Sequence, residues 1–162
     1  MFKIKLLILL LTSFFFYSCA NQQINYSGQK YSLAYIGGGF DGLLLKNYLL
    51  SSLKNLDIYN PNSNYQINAN INHSSGLYIT NIDNTSDRER ITTDLSIQIV
   101  DTLSQCQVFI DNINISQFYI YASSAKLLSN QTAVRKIKKD NTETSVKLFL
   151  NKLRNNNHKC DE

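Results

Sequence analysis

Hydrophobic and polar residues alternate along this chain in four separate runs. In Lys30–Ile36, Tyr31, Leu33 and Tyr35 fall on one side, which is the two-residue period of a strand. From Tyr65, the residues Tyr65, Ile67, Ala69 and Ile71 alternate with Gln66, Asn68, Asn70 and Asn72. One face of that strand is apolar and the other is lined with amides. Leu77-Tyr78-Ile79 extends the run past Gly76, where a bulge is expected. After a polar connection over Asp83–Glu89 comes the most regular run. In it Ile91, Thr93, Leu95, Ile97 and Ile99 alternate with Thr92, Asp94, Ser96 and Gln98. A turn over Asp101–Gln105 leads to the fourth run, with Val108, Ile110, Ile113 and Ile115 apolar. Its alternation changes phase at Asp111-Asn112, which predicts a second bulge there.

Two stretches have helical spacing instead. Leu45, Tyr48, Leu49 and Leu53 recur at three- and four-residue intervals, predicting an amphipathic helix over about 43–55. Asp41 stands where an N-cap belongs, and Gly37-Gly38-Gly39 before it reads as a flexible connector. Asn60-Pro61-Asn62 is a turn. Val146, Phe149, Leu150 and Leu153 mark a longer helix over roughly 129–154. Its weak centre at Asp140-Asn141-Thr142 is expected to bend or break it. The order strand, helix, three strands, helix predicts an α+β fold. Its economical form is a two-layer sandwich, with both helices on one face of a four-stranded mixed sheet. The last three strands form an antiparallel meander. The first, joined through a helix, can pair in parallel.

The beginning of the chain has a different character. Lys3 and Lys5 precede an apolar run, Leu6–Leu11, and Ser18 stands directly before Cys19. This is the pattern of a bacterial secretory signal, and the apolar run is too short to span a bilayer. Phe16-Tyr17-Ser18-Cys19 resembles a lipobox, although Phe16 and Tyr17 are bulkier than usual. The expected organisation is a signal peptide over 1–18, a lipidated Cys19 with a tether over 19–29, one domain over 30–154, and a polar tail over 155–162. Ordinary cleavage after Ala20 is the alternative. In the lipoproteins this start resembles, an aspartate after the cysteine signals inner-membrane retention. Its absence points to the outer membrane. Two or three acyl chains would hold the protein stably, each buried methylene contributing about 0.8 kcal/mol.

Charge changes the picture in its distribution more than in its sum. With Lys3 and Lys5 removed, 16 basic residues become 14 against 12 acidic ones, a mature charge of +2. That is no basis for nucleic-acid binding. Eight basic residues nevertheless lie between Arg135 and Lys159, so one end of the molecule is basic. Abundant Asn, a single Pro and no Trp read as the codon bias of an AT-rich genome. Beyond Cys19, the cysteines Cys106 and Cys160 read as two unpaired thiols, although the compartment permits a disulfide.

No catalytic constellation assembles. His158 lies in the tail, and His73 reads as a strand-edge histidine. Asn72-His73-Ser74-Ser75-Gly76 lacks the first glycine of a nucleophile elbow. No paired His or Cys has metal-ligand spacing, and the three glycines have no phosphate-loop lysine after them. An enzyme, a metal centre and a cofactor are therefore not expected. The basic residues are the remaining candidates: Arg88 and Arg90 at the start of the third strand, and Arg135, Lys136, Lys138 and Lys139 on the last helix. Most such runs are solvated surface. The functional reading is an anion site, in which guanidinium and ammonium groups meet phosphates.

The lipoprotein start, the order of elements, Leu44-Leu45-Lys46-Asn47-Tyr48-Leu49 and the run from Arg90 to Asp101 together resemble the lipopolysaccharide-assembly lipoprotein family, LptE. The segment Tyr119–Ser129 followed by a long terminal helix fits the same pattern. The resemblance covers most of the mature chain and rests on pattern, not on catalytic motifs. It implies a lipid-anchored protein on the periplasmic side of the outer membrane. Such a protein plugs a large outer-membrane β-barrel of the LptD type, helps it assemble, and assists lipopolysaccharide delivery to the cell surface. It implies Arg88 and Arg90 as loose matches to the family's basic region. The competing expectations are an accessory lipoprotein subunit of an inner-membrane transporter and a small periplasmic hydrolase.

Overall fold

The computed structural model describes residues 28–79, 87–120 and 127–155. The predicted signal peptide, Cys19, most of the tether, His158, Cys160 and the polar tail after Asn155 lie outside the described residues. Within them the elements are β1 (Tyr31–Gly37), α1 (Gly39–Asn55), β2 (Tyr65–Ile79), β3 (Asp87–Asp101), β4 (Cys106–Ile120) and α2 (Leu127–Arg154). The sheet order is β1-β2-β3-β4. β1 runs parallel to β2, and β2, β3 and β4 form an antiparallel meander. Both helices pack on the same face, α1 over β1 and β2, and α2 over β3 and β4. This is the α+β two-layer sandwich that the periodicities predict.

The core lies between the layers. Leu45, Leu49 and Leu53 of α1 and Val146, Phe149 and Leu153 of α2 are buried against Ile67, Leu95 and Ile99. Each such side chain contributes about 1.5–3 kcal/mol relative to exposure. Phe149 meets Phe109 edge-on, with ring centroids 5.6 Å apart.

Several local expectations are corrected. Asp41 does not cap α1. The helix begins at Gly39, its N-cap is Gly38 at φ 111°, and no side chain caps it. The three glycines are a tight joint, not a flexible connector. A Cβ on Gly38 would stand 2.5 Å from the Ile71 carbonyl oxygen, and one on Gly42 2.6 Å from that of Gly37. Only glycine fits such a joint. β2 and β3 pair without interruption from Tyr65↔Asp101 to Ile79↔Asp87, so Gly76 marks no bulge. The bulge in β4 lies earlier than Asp111-Asn112. Ile99 pairs with Phe109 and Val100 with Gln107, which leaves Val108 as the extra residue. Val108 and Phe109 are both buried, and the alternation after them is reset. Ile110 points away from the helices and is 65 % exposed.

β1 has its own register shift between Leu33 and Ile36. It turns Tyr35 outward to 68 % exposure, where simple alternation predicts it beside Tyr31. Helix α2 neither bends nor breaks at Asp140-Asn141-Thr142. It is continuous from Leu127 to Arg154, with Asn141 and Thr142 fully buried. The threonine hydroxyls of Thr132, Thr142 and Thr144 each donate to the carbonyl four residues earlier, at 2.8 Å. Cys106 is disulfide-bonded, which corrects the expectation of two free thiols. The third strand begins at Asp87, so Arg88 and Arg90 lie at its start, as expected.

Candidate functional site

The register sorts the sheet into a helix face and an open face. Odd-numbered residues of β3 from Ile91 to Ile99 are buried under the helices, and even-numbered ones lie on the open face. Arg88 and Arg90 therefore share the open face, about 7 Å apart along the strand. Their neighbours on β4 are Ile120 and Phe118, and cross-strand side chains at such positions touch. Phe118 is 52 % and Ile120 71 % exposed. Two guanidinium groups thus stand beside two exposed apolar side chains at the tip of the sheet. Continuing the β4 alternation past Ile115 to Phe118 and Ile120 would have exposed this pairing in the sequence.

The other basic residues lie across the sheet. Glu89 points to the helix face, where Tyr119 donates a hydrogen bond from its hydroxyl to the Glu89 carboxylate. These two line a recess with Asn130, Val134 and Arg135 of α2. Lys136 and Lys139 are exposed on α2. Lys138 turns toward α1, its ammonium 3.7 Å from the Asp41 carboxylate. The six candidates share one end of the molecule but form two groups, with the sheet between them. Leu127 and Leu128 at the start of α2 are exposed as well, so this end is both cationic and apolar.

Beneath α2 lies a polar cluster that the sequence pattern misses. The Thr93 hydroxyl is 2.7 Å from His73 Nδ1 and accepts a hydrogen bond from the Asn141 amide at 3.0 Å. His73 Nε2 is 3.9 Å from the Asp41 carboxylate. β1 pairs with β2 only as far as Asn70, so His73 does lie on an edge portion of β2, as expected. Its side chain is nonetheless only 1 % exposed. Burial pushes its pKa below the ordinary value, against the opposing pull of Asp41. His73 Nε2, Asn141 Oδ1 and Ser145 Oγ are buried without a hydrogen-bond partner. Among the described residues no group of three or more His, Cys, Asp or Glu could hold a metal ion, and no helix is long and apolar enough to cross a membrane.

No protein-family model and no curated protein matches the chain. Solved structures do. Rare lipoprotein B from Shewanella oneidensis superposes with a TM-score of 0.62 at 8% identity, over 77% of this chain and 93% of that one. A minor lipoprotein from Acinetobacter baumannii gives 0.58 at 12% identity, over 78% and 90%. The chain has a fold found in bacterial lipoproteins. At these identities the likeness is one of fold, and it spans nearly the whole of both neighbours.

Proposed function

We propose that this chain is an outer-membrane lipoprotein, anchored through acylated Cys19. It plugs a large lipopolysaccharide-export β-barrel, helps that barrel assemble, and assists lipopolysaccharide delivery to the cell surface. In this reading it binds and positions and catalyses nothing. The observation that carries the proposal is the tip of the open face. Arg88 and Arg90 alternate there with the exposed Phe118 and Ile120 across one strand pair. Guanidinium groups suit phosphate oxygens, and the apolar neighbours suit acyl chains, so the tip matches a phosphorylated, acylated lipid. The rest of the open face is rich in Asn, Gln, Ser and Thr, which suits the polar lumen of a large barrel.

The test is to purify the tagged full-length protein from solubilised outer membrane. A stoichiometric large β-barrel, an acylated Cys19 peptide and bound lipopolysaccharide are expected. Arg88→Ala with Arg90→Ala should lower the bound lipopolysaccharide about tenfold or more, since hydrogen bonds between charged groups contribute about 1.5–3 kcal/mol each. Unchanged lipopolysaccharide in the double variant would remove the arginine site. Co-purification with an inner-membrane transporter in place of the barrel would replace the proposal with the accessory-subunit alternative.

A further inference from the structure

The open face changes character along its length. At the tip it is cationic and apolar. In the middle its side chains are already paired across strands: Asn114 donates to Asp94, and Thr92 and Ser116 share a hydrogen bond of 3.0 Å. Toward the other end the pairing stops. Asn70, Ser96 and Asn112 lie side by side across β2, β3 and β4, with Gln98 and Ile110 in the next row. Among the described residues, the side chains of Asn70, Ser96, Gln98 and Asn112 make no hydrogen bond to protein.

These residues line a groove with Tyr35 on its β1 side and Ile110 on its β4 side, spanning roughly 14 Å of four strands. Tyr35 and Ile110 are 68 % and 65 % exposed. The Tyr35 backbone is held in place by its N–H donating to Asn68 at 3.1 Å. Every open-face side chain lining the groove is uncharged. Asp111, at its rim, faces the helices and is ion-paired with Lys152 at 2.7 Å.

We infer that this groove is a second binding site, one for uncharged sugar residues. Amide and hydroxyl side chains offer donors and acceptors to ligand hydroxyls without asking for charge. An exposed tyrosine ring at the wall gives the apolar face of a sugar ring a platform, in the mixture of aromatic and convergent polar groups that ligand sites use. The inference rests on the reading of the tip as a site for a phosphorylated glycolipid. Phosphates and acyl chains meet Arg88, Arg90, Phe118 and Ile120, and sugars of the same molecule continue along the face into the groove. The neutral groove and the cationic tip thus divide one amphipathic ligand by its chemistry.

The test uses the acylated full-length protein in detergent and two probes. One is whole lipopolysaccharide. The other is the oligosaccharide cut from it, delipidated and dephosphorylated. Saturation-transfer NMR reads contact with the sugar protons. Binding of the oligosaccharide is expected in the wild type. Tyr35→Ala and Asn112→Ala should each weaken it about fivefold or more, the loss of one ring contact or hydrogen bond. Both positions are exposed, and unchanged melting temperatures confirm folding. Arg88→Ala with Arg90→Ala should leave oligosaccharide binding as it is. Two outcomes would sink the groove alone: no transfer to the oligosaccharide while whole lipopolysaccharide still binds, or transfer untouched by both groove variants. Failure to bind either probe would overturn the tip reading together with the groove.

Discussion

The imidazole of His73 is enclosed by residues from three other elements. Thr93 of β3 takes its Nδ1, while Asp41 of α1 and Asn141 and Lys138 of α2 close around it. Its pKa is lowered chiefly by burial, so the unfolded chain binds the proton more readily than the folded one. Stability is then full above the unfolded histidine's pKa of about 6.5 and is lost as the pH falls from there toward the lower folded value. Urea unfolding of the wild type should weaken from pH 8 to pH 5. His73→Gln should flatten that slope, because glutamine carries no titrating proton. A variant as acid-sensitive as the wild type would show that other groups set the slope. Nothing in Asn72-His73-Ser74 discloses this enclosure. The burial of Thr93, by contrast, is readable from its place in the Ile91–Ile99 alternation. A hydroxyl at an apolar position was the available signal that a polar partner waits across the interface.

At the scale of elements, periodicity identifies what forms and tertiary contact decides how it is aligned. The apolar spacing of Val146, Phe149, Leu150 and Leu153 specifies the buried stripe of α2, and all four are buried. Phe149 fills the space between α2 and Phe109, which the bulge at Val108 turns inward. Phe149→Ala should therefore cost about 3–5 kcal/mol. Chemical denaturation measures it, and a loss below about 1 kcal/mol would mean that the core closes over the gap. Periodicity does not locate the bulges: β2 has none at Gly76, and that of β4 lies at Val108. Two adjacent apolar residues, Val108 and Phe109, are compatible with either phase of the strand, and only pairing with Ile99 and Val100 selects one. The three glycines before α1 were similarly ambiguous. The Ile71 backbone, distant in sequence, is what makes Gly38 a joint.

For the whole molecule, the decisive fact is that a sheet has two faces. The basic residues gather at one end, as their crowding in the sequence suggests. Arg88 and Arg90 are nonetheless separated from the α2 residues by the sheet. Arg135 lines the recess beside Glu89 and Tyr119, on the helix side of the sheet. Arg135→Ala with Lys136→Ala should accordingly reduce bound lipopolysaccharide less than Arg88→Ala with Arg90→Ala, by under about threefold. Equal losses from the two pairs would indicate a ligand that wraps the edge of the sheet and meets both groups.

Local sequence pattern specifies the element types, their order, the apolar face of each and the two-layer α+β solution. These follow from local periodicity and from the need of every apolar face to find cover. It also carried the resemblance from which the lipoprotein reading comes. The register shifts in β1 and β4, the closed joint at Gly38, the enclosure of His73 and the division of the basic residues between two faces arise only on folding. Each depends on which backbone or side chain arrives from a distant part of the chain. A local pattern specifies that a residue must face inward or outward, but not what it will meet there.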